Sequence, residues 1–282
     1  ALGVAADWGD DVRVALDELA LEVEGRGGRA VRIALDALGR ASDPRLRVEP
    51  AYLPLGSGVT LALHDTNPLS MLEAHPDKAG NACSLGGRPV GDWSDSLRAA
   101  LALVERHLPV VLDELRTLQT LLVPVGFEPV KHLSASYREY IGASYLTLHP
   151  DVHTMAEALV HEHQHNKANL ASYHDVLLEN ALDTMVRSPV RPDLRPIWGV
   201  LLAVHAFVPV AELYVRLLGS GDEAVRDRFV DVVGRNDEGL RTVREHGRPT
   251  RIGAAMIEEL EALHARHLAF GGPPKKGVDW EA

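Results

Sequence analysis

Three observations predict a chain that is mainly α with a small β-sheet, an α+β class. Apolar residues recur at helical spacing over most of the 282 residues. Two short runs, Leu121-Leu122-Val123-Pro124-Val125 and Ala143-Ser144-Tyr145-Leu146-Thr147-Leu148, instead have the length and composition of strands. The third observation is an H-E-x-x-H pattern at 161–165, lying in a helical stretch just after the second run.

The elements follow in order. Val12 to Val23 and Ala30 to Leu38 read as two amphipathic helices joined by the turn Gly25-Arg26-Gly27-Gly28. Segment 51–92 is richer in Pro, Gly and Asn and holds one expected strand, Val59 to Leu63. Asp92 or Ser94 is placed to cap the next helix, and the apolar pattern from Leu97 to Leu122 should break or kink at Pro109. After the two strands, Thr154 is expected as an N-cap, with Glu157 completing a capping box. A loop at 186–196, a hydrophobic helix at 197–218 and helices near 222–245 and 252–269 come next. Gly271 to Lys276 reads as a frayed tail. No repeat or long linker divides the sequence, so it reads as a single domain over 1–282. Within it the expected regions are an N-terminal helical segment at 1–50, a metal-site core at about 140–218 and C-terminal helices at 222–269.

Hydrophobic content of 46% and charged content of 24% are those of an ordinary globular protein. A net charge of -11 argues against nucleic acid or an anionic membrane as partner. No apolar run is read as reaching the roughly 18 residues of a membrane span, so no membrane partner is expected. Cys83 is the single cysteine, which excludes an intrachain disulfide and fits a cytoplasmic location. The first residues lack a charged n-region followed by an apolar h-region, which fits the same location.

His161 and His165 are four residues apart, so a helix stacks them on one face where both can bind one metal ion. Glu162 lies within reach of a water or substrate beside that metal. Met155, Ala156, Ala158, Leu159 and Val160 supply the apolar side of the helix. The order strand, short loop, motif helix suggests a zincin-like local arrangement. In it the motif helix follows an edge strand whose backbone could bind an extended peptide. On the motif alone, Glu162 would be the general base of a zinc metallopeptidase.

Such a site needs a further ligand. Glu179 follows His165 at a spacing short for a glutamate-ligand peptidase, and reads equally as a solvated carboxylate. The longer histidine extension is absent, because Ala168 and Ala171 occupy its positions. His174 could return only through a sharp turn. His205 lies in the apolar run Val200 to Val208, where it is either a satisfied core histidine or the missing ligand; Pro209 opens the backbone beside it. Arg187, Arg191 and Arg195 alternate with Pro189, Pro192 and Pro196. They read either as solvated surface arginines or as a pre-positioned carboxylate clamp. His163 is expected to point away from the metal face, toward solvent or the outer shell, and His264 and His267 to lie on the surface. Tyr137, Arg138 and Tyr140 could line the cleft.

Three segments resemble the α-ketoglutarate-dependent H-E-x-x-H peptide β-hydroxylases, which tailor ribosomally synthesised peptides during natural-product (RiPP) biosynthesis. They are Leu159 to Lys167, Ser188 to Pro196, and Gly199 to Phe207. The likeness extends more weakly to Gly142 through Pro150 and to Arg248 through Gly253. It implies a dioxygenase, an oxidoreductase with Fe(II), α-ketoglutarate and O2 in place of zinc. Its partner would be a precursor peptide, hydroxylated on a side-chain β-carbon. By the same resemblance His161 and His165 are metal ligands with His205 proposed as the third, and Arg191 and Arg195 hold the cosubstrate carboxylate. Glu162 becomes an outer-shell or water-positioning group. An imidazole in third place departs from the usual two-His-one-carboxylate set, which leaves Glu162, Glu179 and Asp175 as rivals of His205.

Overall fold

The computed structural model describes residues 2–4, 12–16, 20–25, 29–34, 46–48, 50–65, 67, 74–75, 78–79 and 82–271. By backbone contacts the chain separates into two compact units, Ala1–Leu53 and Pro54–Ala282, where the sequence read as one domain.

The first unit corrects an expectation. In place of helices it has strands β1 (Leu2–Val4), β2 (Val12–Leu16), β3 (Ala20–Gly25), β4 (Arg29–Ala34) and β5 (Leu46–Val48). β1 pairs with β5, and β2-β3-β4 form an antiparallel meander. The register explains why period two prevails over period 3.6. Val14 lies opposite Val23 and Val23 opposite Val31, while Glu22 lies opposite Arg32 and Arg13 opposite Glu24. The register thus pairs apolar positions with apolar ones and acidic positions with basic ones, as a strand's period of two requires.

The second unit carries a five-stranded sheet in the order β11-β12-β10-β7-β6, of which β6 begins at Tyr52, two residues before the boundary. Its strands are β6 (Tyr52–Gly56), β7 (Val59–Ala62), β10 (Leu121–Phe127), β11 (Ser134–Ala135) and β12 (Ala143–Leu148); a two-residue pair, β8 (Ala74–His75) and β9 (Lys78–Ala79), stands apart. β10 runs parallel to both β7 and β12, and β11 is antiparallel to β12. The three strands expected in this unit are present. β12 is not outermost, however: β11 pairs with it at Tyr145 and Leu146, and Thr147 donates its N–H to the Leu133 carbonyl at 2.9 Å. All six residues of β12 are buried, as expected of a strand covered on both faces.

Helices cover the sheet. α1 (Val90–His107) and α2 (Pro109–Leu118) break at Leu108, because Pro109 can begin a helix but cannot continue one. Neither expected residue caps α1: Pro89 holds the cap position, Asp92 pairs with Arg88 in the first turn, and Ser94 donates to the Gly91 carbonyl. α3 (Val152–Ser172) bears the H-E-x-x-H motif. Its cap is Asp151, which accepts from the His153 N–H at 3.2 Å and from the Thr154 hydroxyl at 2.9 Å. Thr154 therefore supports the cap from inside, and Glu157 makes no capping box because its carboxylate takes the Tyr214 hydroxyl.

The expected loop at 186–196 is a hairpin of β13 (Met185–Ser188) and β14 (Arg191–Pro196). A two-stranded ladder leaves each strand one unpaired side, and that lets Pro192 sit in β14. α4 (Ile197–Gly219) follows and packs against α1, α3, α5 (Arg226–His246) and α6 (Arg251–Gly271). α4 is long and apolar enough to cross a membrane, contrary to the sequence reading, but 67% of its apolar window is buried inside the fold. Leu201, Val204 and Val208 belong to a core completed by Leu240, Val243, Ile257 and Leu260. Each such side chain stabilises the fold by about 1.5–3 kcal/mol when removed from water. Gly271 closes α6, and the rest of the expected tail lies outside the described residues.

Candidate metal centre

The turn from β12 into α3 is short, and Asp151 fixes the direction of the helix at its entry. Two turns further on, one face of α3 presents His161 and His165 with their ring centroids 4.4 Å apart and nearly perpendicular. One ligand atom each from His161, Glu162 and His165 lie within 4.8 Å of one another. Both histidines are partly buried, whereas Glu162 is 1% exposed. Burial, then the neighbouring His165 and His132, holds the His161 imidazole well below its ordinary range. Burial lowers His165 in the same way, opposed by Glu162. Both rings therefore stay neutral and keep the lone pair that a metal ligand must offer.

His205 stands on α4, 7% exposed, and is not among the three groups that share the 4.8 Å space. One side of its ring hydrogen-bonds the Gln164 backbone. Burial, then Lys167 and His165, pushes it down to about 3. Its Nδ1 is buried with no hydrogen-bond partner, as is Nδ1 of His165. Two residues along α4, Phe207 packs its ring 4.5 Å from that of His161. α4 thus contributes one wall of the site through Phe207 and sets His205 against α3 through Gln164.

The remaining named residues are dispersed. Glu179 is exposed, with its N–H bonded to the Arg248 carbonyl. Asp175 accepts from the Leu177 N–H at 2.6 Å and the Thr250 hydroxyl at 2.6 Å, so its carboxylate closes a turn. His174 is exposed. Arg195 pairs with Asp193 on its own strand at 2.9 Å, and Arg191 lies opposite Ser188 in the hairpin register. His163 stands outside the cluster, as expected, but the solvent alternative is corrected: it is fully buried, bonded to Glu114 at 3.2 Å, and lowered to about 4, chiefly by burial. His264 and His267 are a second correction, buried against Asp237 and Glu212 rather than on the surface. Tyr137 stacks edge-on against Tyr145, Arg138 covers the ring of Tyr173, and Tyr140 packs against the sheet cluster around Tyr145.

Several neighbours of the site had no sequence signal. Ser136 donates its hydroxyl to the Glu162 carboxylate. His132 sits close enough to bear on His161, and its ring is 6.5 Å from that of His149. Ser136 and His132 flank the short strand β11 rather than lying in any periodic pattern, so only the fold brings them to α3. Comparison with protein-family models finds none that matches the chain, and no curated protein matches it.

Proposed function

We propose that this chain is a non-haem Fe(II)/α-ketoglutarate-dependent oxygenase that hydroxylates a side-chain β-carbon of a ribosomally synthesised peptide. The observation that carries this reading is the make-up of the cluster on α3. Two neutral imidazoles and one carboxylate converge, and among the described residues no fourth His, Cys, Asp or Glu joins them. A peptidase that uses Glu162 as its base needs a third protein ligand besides the two histidines. With Glu162 counted as a ligand instead, the set is the two-His-one-carboxylate triad of ferrous oxygenases, which leaves positions open for a cosubstrate and O2. His205, whose buried Nδ1 has no hydrogen-bond partner but which lies outside this cluster, would complete the set in either reading. Either way the donors suit Fe(II), which when bound with α-ketoglutarate and O2 supplies oxidative insertion into a C–H bond.

The chain's own residues divide the work. His161 and His165 bind; Glu162 or His205 completes the set. Phe207 shields the His161 ring and excludes water from that side. Arg191 and Arg195 are the proposed cosubstrate anchors, and Arg195 would exchange Asp193 for the incoming carboxylate. The passage of β12 into α3 supports the zincin-like local arrangement within this proposal, with a precursor peptide beside the sheet.

The second reading, a zinc metallopeptidase, draws on the same closeness of Glu162 to both imidazoles. Incubating the protein with Fe(II), α-ketoglutarate, O2 and a candidate precursor peptide separates the two by mass spectrometry. Addition of one oxygen atom to an intact peptide supports the hydroxylase. Scission with uptake of water, given zinc and no cosubstrate, supports the peptidase.

A further inference from the structure

Glu162 is held by a buried polar chain that the metal site alone does not require. The Ser136 hydroxyl donates to the Glu162 carboxylate. Ser144 on β12 lies 3.3 Å from the Ser136 oxygen, and Gln119, at the end of α2, donates its Nε2 to Ser144 at 2.7 Å. Asn166, one turn beyond Glu162, places its Nδ2 3.0 Å from the Glu162 carbonyl and within 3.4 Å of both serine oxygens. Gln119, Ser144, Glu162 and Asn166 are all buried.

Counting protons gives this chain a direction. The Gly142 N–H donates to Asn166 Oδ1 at 2.8 Å; only an oxygen can accept it, so the amide is oriented with its NH2 toward Glu162 and the serines. Ser136 has one proton and spends it on Glu162, so in the 3.3 Å contact Ser144 donates and Ser136 accepts. Ser144 in turn accepts from Gln119 and Asn166. From Gln119 through Ser144 and Ser136 the donors run in one sense toward the carboxylate, while Asn166 also donates to the Glu162 backbone carbonyl. Gln119 Oε1 is left without a hydrogen-bond partner, but from its Nε2 onward the buried serines hold the carboxylate in one direction, and such restraint is what a group beside a metal needs.

We propose that Ser136 is the positioning residue of Glu162, oriented for that task by Ser144, Gln119 and Asn166. The proposal rests on the metal reading above and concerns how this chain aims its carboxylate at the two imidazoles.

The test is titration of the metal-free protein with Co(II), following the visible bands of the bound ion. Ser136→Ala should weaken Co(II) binding by roughly ten- to a hundredfold and change the spectrum of the saturated protein. Ser136→Thr, which keeps the hydroxyl, should restore both, and the melting temperature of the metal-free variants identifies any loss of fold. A Ser136→Ala protein with the wild-type binding constant and spectrum overturns the proposal. If Glu162→Gln then still loses the metal, the carboxylate is a ligand positioned by something else; if it too is unchanged, Glu162 lies outside the ligand set. Wild-type protein that binds no Co(II) contradicts the metal reading itself.

Discussion

His161 and His165 are neutral, close and partly exposed, so removing either should cost the site its metal. His165→Ala should reduce the bound Co(II) or Fe(II) to background in equilibrium dialysis while leaving the helical circular dichroism unchanged. Retention of one equivalent would exclude the pair as ligands. Glu162 and His205 are separated by the same assay. If Glu162 is the third ligand, Glu162→Gln loses affinity on the order of a hundredfold and His205→Ala changes it little; the reverse ranking assigns His205. At this scale the sequence was legible where chemistry follows chain spacing. The four-residue interval of the histidines sets their face, and the apolar run around His205 marks it as buried. Ser136 and His132 were not legible, since their closeness to α3 depends on strand pairing between distant segments. His163, His264 and His267 were misplaced for a related reason. Each is a polar residue buried by virtue of a carboxylate on another helix, and no local pattern records that partner.

Among the elements, α4 has the largest role in shaping the site, because it carries Phe207 and His205 and is wedged between α3 and α5. Its approach to α5 depends on Gly239: a Cβ there would come 2.4 Å from Val204 Cγ1 and 3.3 Å from Pro189 Cγ. Gly239→Ala should therefore push on the residue next to His205 and destabilise the protein by about 1–3 kcal/mol in urea unfolding. An unchanged midpoint would show that the two helices can separate freely. The elements of the second unit were largely readable, since α3, α4, β10 and β12 have strong periods and Pro109 marks the α1–α2 break. The hairpin β13–β14 was not, because three prolines interleaved with arginines suggest a loop; only the ladder pairing Met185 with Pro196 and Val186 with Arg195 reveals it. The strands of residues 12–34 were missed because their valines and leucines also satisfy a helical repeat over so short a run.

For the molecule as a whole, the helical layer of α4, α5 and α6 encloses a histidine that resists protonation. Burial lowers His264 below its ordinary value, against the opposing pull of Asp237 and with the help of His267. Its folded pKa is thus below its unfolded one, near 6.5. Its contribution to stability is complete above that pH and declines as pH falls toward the folded value, where the unfolded chain takes up a proton that the folded one refuses. With metal removed by a chelator, urea midpoints should fall on going below about pH 6.5, and His264→Asn should flatten that slope. A slope unaltered by the substitution would assign it to other groups. Metal should act in the opposite sense, raising stability by about 2.7 kcal/mol at a free concentration a hundred times its dissociation constant. The most direct test of the central claim is an anaerobic titration of the wild-type protein with Fe(II) and then α-ketoglutarate, watched in the visible. A charge-transfer band that saturates at one equivalent, and is absent from His161→Ala and His165→Ala, is the predicted result. No band, together with tight zinc binding and peptide scission, would contradict it.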